Sequence, residues 1–307
     1  MHMVIQLLLL ALGFVMLVKG ADWFVDGASN IAAKFKIPQL VIGLTIVAMG
    51  TSAPEAAVSI TAALQGNADI TIGNIVGSNI LNILIILGLS SVIVPIAVAK
   101  STIKIETPFL IGITLLLLVL GLDGTISMID GIIFIALFIV YLLYLLRMAK
   151  NNPEETDELK PMKTWQALLA TALGLVLVVL GSDFVVDAAS EIALFLGLSE
   201  RFVGLTIVAL GTSLPELFTS VTAARKGNAD IAIGNIVGSN VFNILFVVGL
   251  SSLVTPVPFA ANFRIDTLVA TAAAVLLLLD TFKSRKLVRW HGVVMLLGYA
   301  VYFMYLL

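Results

Sequence analysis

Two glutamates, Glu55 and Glu216, stand deep inside long apolar stretches of a 307-residue chain that carries 19 acidic residues in all. The other acidic residues fall in polar loops or near the ends of apolar runs. A carboxylate at bilayer depth costs several kcal/mol unless it is paired, and Lys19 is the one basic residue inside such a run. With no fixed counter-charge in reach, the expected partner is a mobile cation. The plainer reading is a protonated glutamate bonded between helices, but two glutamates in equivalent sequence settings favour an ion site. Gly50 and Pro54 precede or flank the first glutamate, Gly211 and Pro215 the second. Proline removes a backbone donor and clashes with the preceding turn, so each helix is expected to break there and free carbonyl oxygens. Non-helical backbone at that depth is tolerated where it lines a cavity. Thr51, Ser52, Thr212 and Ser213 add hydroxyls beside the breaks. Ser78 and Asn82 are one helical turn apart, as are Ser239 and Asn243, so each pair shares a face. The donor set is all oxygen. Ca²⁺ accepts about six to eight oxygens in flexible geometry, whereas Mg²⁺ holds its waters. Na⁺ is close to Ca²⁺ in size, and competition of the two for one site, open to one side at a time, yields exchange.

These residues belong to an internal repeat. Thr45 to Glu55 recurs as Thr206 to Glu216 with nine of eleven positions identical, and Gly66 to Asn82 recurs as Gly227 to Asn243 with 14 of 17 identical. Both blocks keep one offset of 161 residues, which also relates Asp22 to Asp183 and Asp26 to Asp187. Small glycines such as Gly73, Gly77, Gly234 and Gly238 also let helices approach closely.

The elements that must position these groups are membrane helices. Hydrophobic residues make up 60 % of the chain, charged residues 12 %, and the mean hydropathy is +1.12. A soluble domain carries about 45–50 % apolar and about 25 % charged residues. Apolar runs near 4–25, 38–64, 70–95, 107–122, 126–146, 164–186, 200–224, 231–255, 266–281 and 291–307 predict ten spans, and runs so continuously apolar are helical. Polar residues 149–163 read as a short linker between a first five-helix repeat, 1–148, and a second, 164–307. Five crossings separate the repeats, an odd number, so the second copy is inverted, as in many secondary transporters. Alternate loops hold 14 Lys and Arg on one side and 2 on the other. The richer side is cytoplasmic, which puts both termini outside and the linker inside. Asp22 and Asp183 read as interfacial charges, with Lys19 in reach of Asp22 one turn away. The net charge of −2 is neutral on the question, but no basic aromatic patch is present, and nucleic acid is not expected as a partner. No cysteine is present, and no base lies near an intramembrane serine, which argues against thiolate chemistry and a hydrolase. A passive cation channel is the other class to weigh. No cofactor and no obligatory protein partner are expected beyond transported ions and lipid.

At the GTSxPE and GNxxGSN patterns the chain resembles the Ca²⁺/cation antiporter superfamily, and closely its prokaryotic sodium/calcium exchangers. The resemblance covers the whole chain and places the family's α-repeats at 42–82 and 203–243. It implies a multi-pass protein of the cell inner (plasma) membrane. It implies Glu55 and Glu216 as central ligands. Side-chain oxygens of Thr51, Thr212, Ser52, Ser213, Ser78, Ser239, Asn82 and Asn243, and the carbonyls of Ala48, Ala209, Thr51 and Thr212, complete the set. It further implies that the first and sixth helices lie across the others as a sliding gate. Exchangers of this family often carry Asp at one of the positions filled here by Asn82 and Asn243. The site therefore holds at most two negative charges. That balances one Ca²⁺, overcharges with three Na⁺, and makes two-Na⁺ or H⁺ coupling the alternative.

Overall fold

The computed structural model describes residues 2–152, 161–197 and 209–306. Residues 153–160 of the expected linker, and 198–208, on which Arg201, the start of the seventh expected span and the start of the second α-repeat fall, lie outside the described residues. The described residues are helical almost throughout. In order the helices are α1 (His2–Phe35), α2 (Gln39–Thr51), α3 (Ala53–Leu64), α4 (Ile70–Ile93), α5 (Thr102–Asp123), α6 (Met128–Asn151), α7 (Thr164–Phe195), α8 (Leu214–Arg225), α9 (Ala229–Val254), α10 (Ala261–Phe282) and α11 (Arg289–Leu306). A stub, Ala209–Gly211, precedes α8. Among the described residues seven helices are long and apolar enough to cross a bilayer, or eight when the bent pair of α2 and α3 is one span.

Of the seven long spans among the described residues, α9 and α4 are the most buried and form the centre, while α1, α6 and α7 are the least. The outer helices turn Val4, Leu8, Val15, Ile129, Leu146 and Val301 outward. An apolar surface of that extent is what lipid, not water, solvates.

α1 and α7 cross at a run of glycines. A Cβ on Gly20 would lie 2.8 Å from the Val178 nitrogen, and one on Gly181 would lie 2.9 Å from the Gly13 carbonyl oxygen. Only hydrogen fits in such a crossing, so the two backbones touch. Both helices outrun their expected spans, which ended at 25 and 186; the acidic residues that seemed to mark interfaces are carried within them. Asp22, within reach of Lys19 by sequence, is met instead from the end of α8. Lys226, just past α8, reaches α1, with its Nζ 3.2 Å from an Asp22 carboxylate oxygen and 2.7 Å from Asp26.

Two short antiparallel strand pairs link distant loops. β1 (Ile96–Ala97) pairs with β4 (Lys286–Leu287), and β2 (Thr125–Ile126) pairs with β3 (Val257–Pro258). α5 runs from β1 to β2 and α10 from β3 to β4, so the two pairings sit at opposite ends of those helices. Arg264 adds a bond to the Leu122 carbonyl at one end, and the Val98 N–H donates to the Arg285 carbonyl at the other.

Candidate functional site

The expected mid-membrane break is present. α2 and α3 meet at Ser52 with a 51° bend, and Ser52 leaves helical geometry at φ −83, ψ 7. Ser213 does the same before α8 at φ −92, ψ 3. Pro54 and Pro215 each occupy the first turn of the following helix, where a missing N–H is least costly to that helix. The break does not leave every expected carbonyl free. The Ala48 oxygen accepts the Ser52 N–H at 3.0 Å and the Ser239 hydroxyl at 3.3 Å.

The break aims each glutamate at the other half of the chain. Glu55 and Glu216 are both fully buried. Ser52 Oγ donates to Glu216 Oε1 at 2.8 Å, and Thr51 lies beside the same carboxyl. Thr212 lies beside the Glu55 carboxyl, and Ser78 Oγ meets Glu55 Oε1 at 3.4 Å. Thr51 Oγ1 also donates to Asn235 Oδ1 at 3.0 Å, so α9 holds that hydroxyl in place.

α4 and α9 pass behind the glutamates and carry matching amides. Asn74 Nδ2 donates to Ser59 Oγ at 2.9 Å, and Asn235 Nδ2 to Ser220 Oγ at the same distance. These bonds seat α4 against α3 and α9 against α8. Both central helices change pitch at the expected ligands. Each opens a π-helical turn, Asn82–Leu87 in α4 and Asn243–Val248 in α9. Such turns occur often at functional sites because they leave backbone groups without regular partners.

Several fully buried oxygens have no hydrogen-bond donor among the described residues: Oε2 of Glu55 and of Glu216, Oδ1 of Asn82 and of Asn243, and Oγ of Ser213. Buried polar atoms are ordinarily satisfied, and acceptors left open in equivalent pairs have the chemistry of cation ligands. Ala209 begins the stub, and Thr212 follows it, half-buried. With Pro54, Ser182, Asp183, Asp187 and Gly211, Thr212 lines a cavity of about 310 Å³.

Sequence reasoning missed Asn79 and Asn240. Asn79 Nδ2 donates to the Asn240 backbone carbonyl at 3.3 Å and Asn240 Nδ2 to that of Asn79 at 3.1 Å. Their signal was present, since both fall inside the repeated block; the one-turn rule that selected Ser78 and Asn82 passed over them. It also missed a third buried carboxylate, Glu106, which lies one turn inside α5 and accepts from the Tyr144 hydroxyl of α6, apart from the paired glutamates.

The profile of the sodium/calcium exchanger protein family matches residues 5–147 and 166–307. The sodium/calcium exchanger MaX1 of Methanosarcina acetivorans is 32 % identical over 97 % of both chains. The inner membrane protein YrbG of Escherichia coli is 36 % identical over 89 % of both. A solved structure of the sodium-calcium exchanger NCX_Mj, soaked with zero Na⁺ and Ca²⁺, superposes with a TM-score of 0.87, is 34 % identical and covers 99 % of each chain.

Proposed function

The chain belongs to the sodium/calcium exchanger family and is a multi-pass membrane Na⁺/Ca²⁺ antiporter, and from that membership we propose how its own residues carry the exchange. Glu55 and Glu216 hold one Ca²⁺ between them, or Na⁺ in its place. Ser52, Thr51, Ser213, Thr212, Ser78, Ser239, Asn82, Asn243 and the carbonyls at Ala48 and Ala209 supply the remaining oxygens in turn. The observation that carries this reading is the cross-over at the breaks, where Ser52 of the first half donates to Glu216 of the second. An ion held there touches both halves, so a shift of one against the other changes the side it is released to.

Ten spans in two inverted five-helix repeats, 1–148 and 164–307, joined by a cytoplasmic linker, account for the contacts between distant loops. The charge rule puts β1 and β4 together inside and β2 and β3 together outside, and each pair is bonded. It puts Lys226 and the end of α1 inside, and Lys226 pairs with Asp26 on the body of that helix. It puts Asn30 and the linker's end inside, and the Met162 N–H donates to Asn30. Both termini are then outside, and the protein sits in the cell's inner membrane.

Two carboxylates and two amides give the site a charge of −2 at most. One Ca²⁺ balances it, and so do two Na⁺. A third Na⁺ would leave an uncompensated charge in a low-dielectric site. The test is radioactive Ca²⁺ uptake into proteoliposomes under a K⁺/valinomycin clamp. Uptake should require an opposing Na⁺ gradient and stay nearly flat with voltage. Uptake without that gradient points to a channel, and a response of one net charge per cycle overturns the two-Na⁺ coupling.

A further inference from the structure

Asn82 and Asn243 can serve an ion only if their carbonyl ends face it. An amide has an acceptor at one end and a donor at the other, and a half-turn of the side chain exchanges them. Something must hold the turn. Asn82 Nδ2 donates to Asn240 Oδ1 at 2.8 Å, and Asn243 Nδ2 donates to Asn79 Oδ1 at 3.1 Å. Asn79 and Asn240 are themselves held by backbone, each donating its Nδ2 to the other's main-chain carbonyl. A main-chain carbonyl only accepts, so the end of Asn79 that meets Asn240 must be its NH₂. That leaves Asn79 Oδ1 as the group facing Asn243, and the end of Asn243 that meets it must be NH₂ as well. The Asn243 oxygen is then turned away, where it has no donor. The same chain of choices runs from the Asn79 carbonyl through Asn240 to Asn82. All four side chains are buried, from 0 % to 3 % exposed, so water cannot stand in for a missing partner.

We propose that Asn79 and Asn240 are positioning residues for transport: each fixes, across the boundary between the halves, which end of Asn243 or Asn82 faces the transported ion. This rests on the reading of Asn82 and Asn243 as ion ligands. Neither Asn79 nor Asn240 touches the ion. They transmit the fixed polarity of two main-chain carbonyls to two ligands, each from the opposite half of the chain. Without Asn79, the Asn243 amide loses its reason to prefer carbonyl-inward. In half its orientations it then presents hydrogens to a cation.

The crossing of the partners makes the inference testable by double-mutant cycles. The readout is the apparent KM for Ca²⁺ uptake by the full chain in proteoliposomes, with a melting curve for each variant. Asn243→Ala and Asn79→Ala should each raise KM about tenfold, the scale of one lost ligand bond. The double variant Asn79→Ala/Asn243→Ala should be no worse than Asn243→Ala alone, because Asn79 acts only through Asn243. Asn79→Ala/Asn82→Ala should multiply, because Asn82 answers to Asn240. A general packing role for Asn79 would multiply in both. Should Asn79→Ala fail to fold, Asn79→Ser keeps a hydroxyl to meet the Asn240 carbonyl and is carried through the same cycles. An unchanged KM in Asn79→Ala, or multiplication with Asn243→Ala, overturns the inference while leaving the ligand assignment intact. An unchanged KM in Asn243→Ala removes the ligand assignment and the inference with it.

Discussion

A buried glutamate whose second oxygen has no donor is a poor structural element and a good ligand. Glu55 and Glu216 are both of that kind. Replacing either by glutamine removes a charge that burial disfavours and half the counter-charge for Ca²⁺. Glu55→Gln and Glu216→Gln should each lower Ca²⁺ affinity by about 3 kcal/mol, the scale for truncating one partner of a buried charge pair. The melting temperature should hold or rise, since an uncompensated buried charge is gone. Titration calorimetry and a thermal melt on the same preparations test both parts; full affinity in either variant removes that glutamate from the site. The burial of both glutamates was legible in the sequence, because each stands inside a long apolar run, and both are fully buried. Ser52 was legible by adjacency. Asn79 stood in the repeated block, but its partners were not legible, since Asn240 is 161 residues away. Glu106 was hidden for a simpler reason. It is near a span's end in sequence, and tertiary packing, with Tyr144 of α6 against its carboxyl, buries it.

At the scale of elements, the breaks were legible and the pitch changes were not. Glycine and proline announce a break by chemistry, and the bend at Ser52 lies between Gly50 and Pro54. No residue type announces a π turn, and nothing in the sequence at Asn82 or Asn243 marked one. The lengths of α1 and α7 were misjudged because Asp22, Asp26, Asp183 and Asp187 looked like ends. A charge ends a span only if nothing answers it, and Lys226 answers Asp22 and Asp26. The packing of α9 against α2 gives the element-scale prediction. A Cβ on Gly238 would lie 2.7 Å from the Leu44 Cα and 2.8 Å from its carbonyl oxygen. Backbone cannot turn aside as a side chain can, so the helices must separate. Gly238→Ala should cost about 1–3 kcal/mol, the usual range for overpacking, and slow transport by displacing Ser239 from the Ala48 carbonyl. A thermal melt with uptake rates measures both, and wild-type values in both would show that the contact gives way.

At the scale of the molecule, the proposed topology puts β1 with β4 on one side and β2 with β3 on the other, and each of these pairs is bonded. The prediction is direct. Single cysteines at Gln65 and Lys226, equivalent positions in the two halves, should label from opposite faces of intact cells, Gln65 from outside. Labelling from one face would end the inverted-repeat proposal. The chain has no cysteine of its own, so the background is clean. The same property exposes a consequence of the two small strand pairs. α5 and α10 are fastened to each other at both ends, like the stiles of a ladder joined by a top and a bottom rung. A frame closed in that way resists shear and resists opening. If that frame is fixed, movement during a cycle must fall to members outside it, such as α1 and α7, which touch through glycines. Opposed residues in an antiparallel pair have Cα atoms about 4.5–5.5 Å apart, within the range a disulfide accepts. Welding the frame with Ile96→Cys and Leu287→Cys, which face each other in the β1–β4 register, should therefore leave oxidised and reduced protein turning over at the same rate. If oxidation arrests uptake, the rungs themselves flex, and the two halves rock as whole bodies instead.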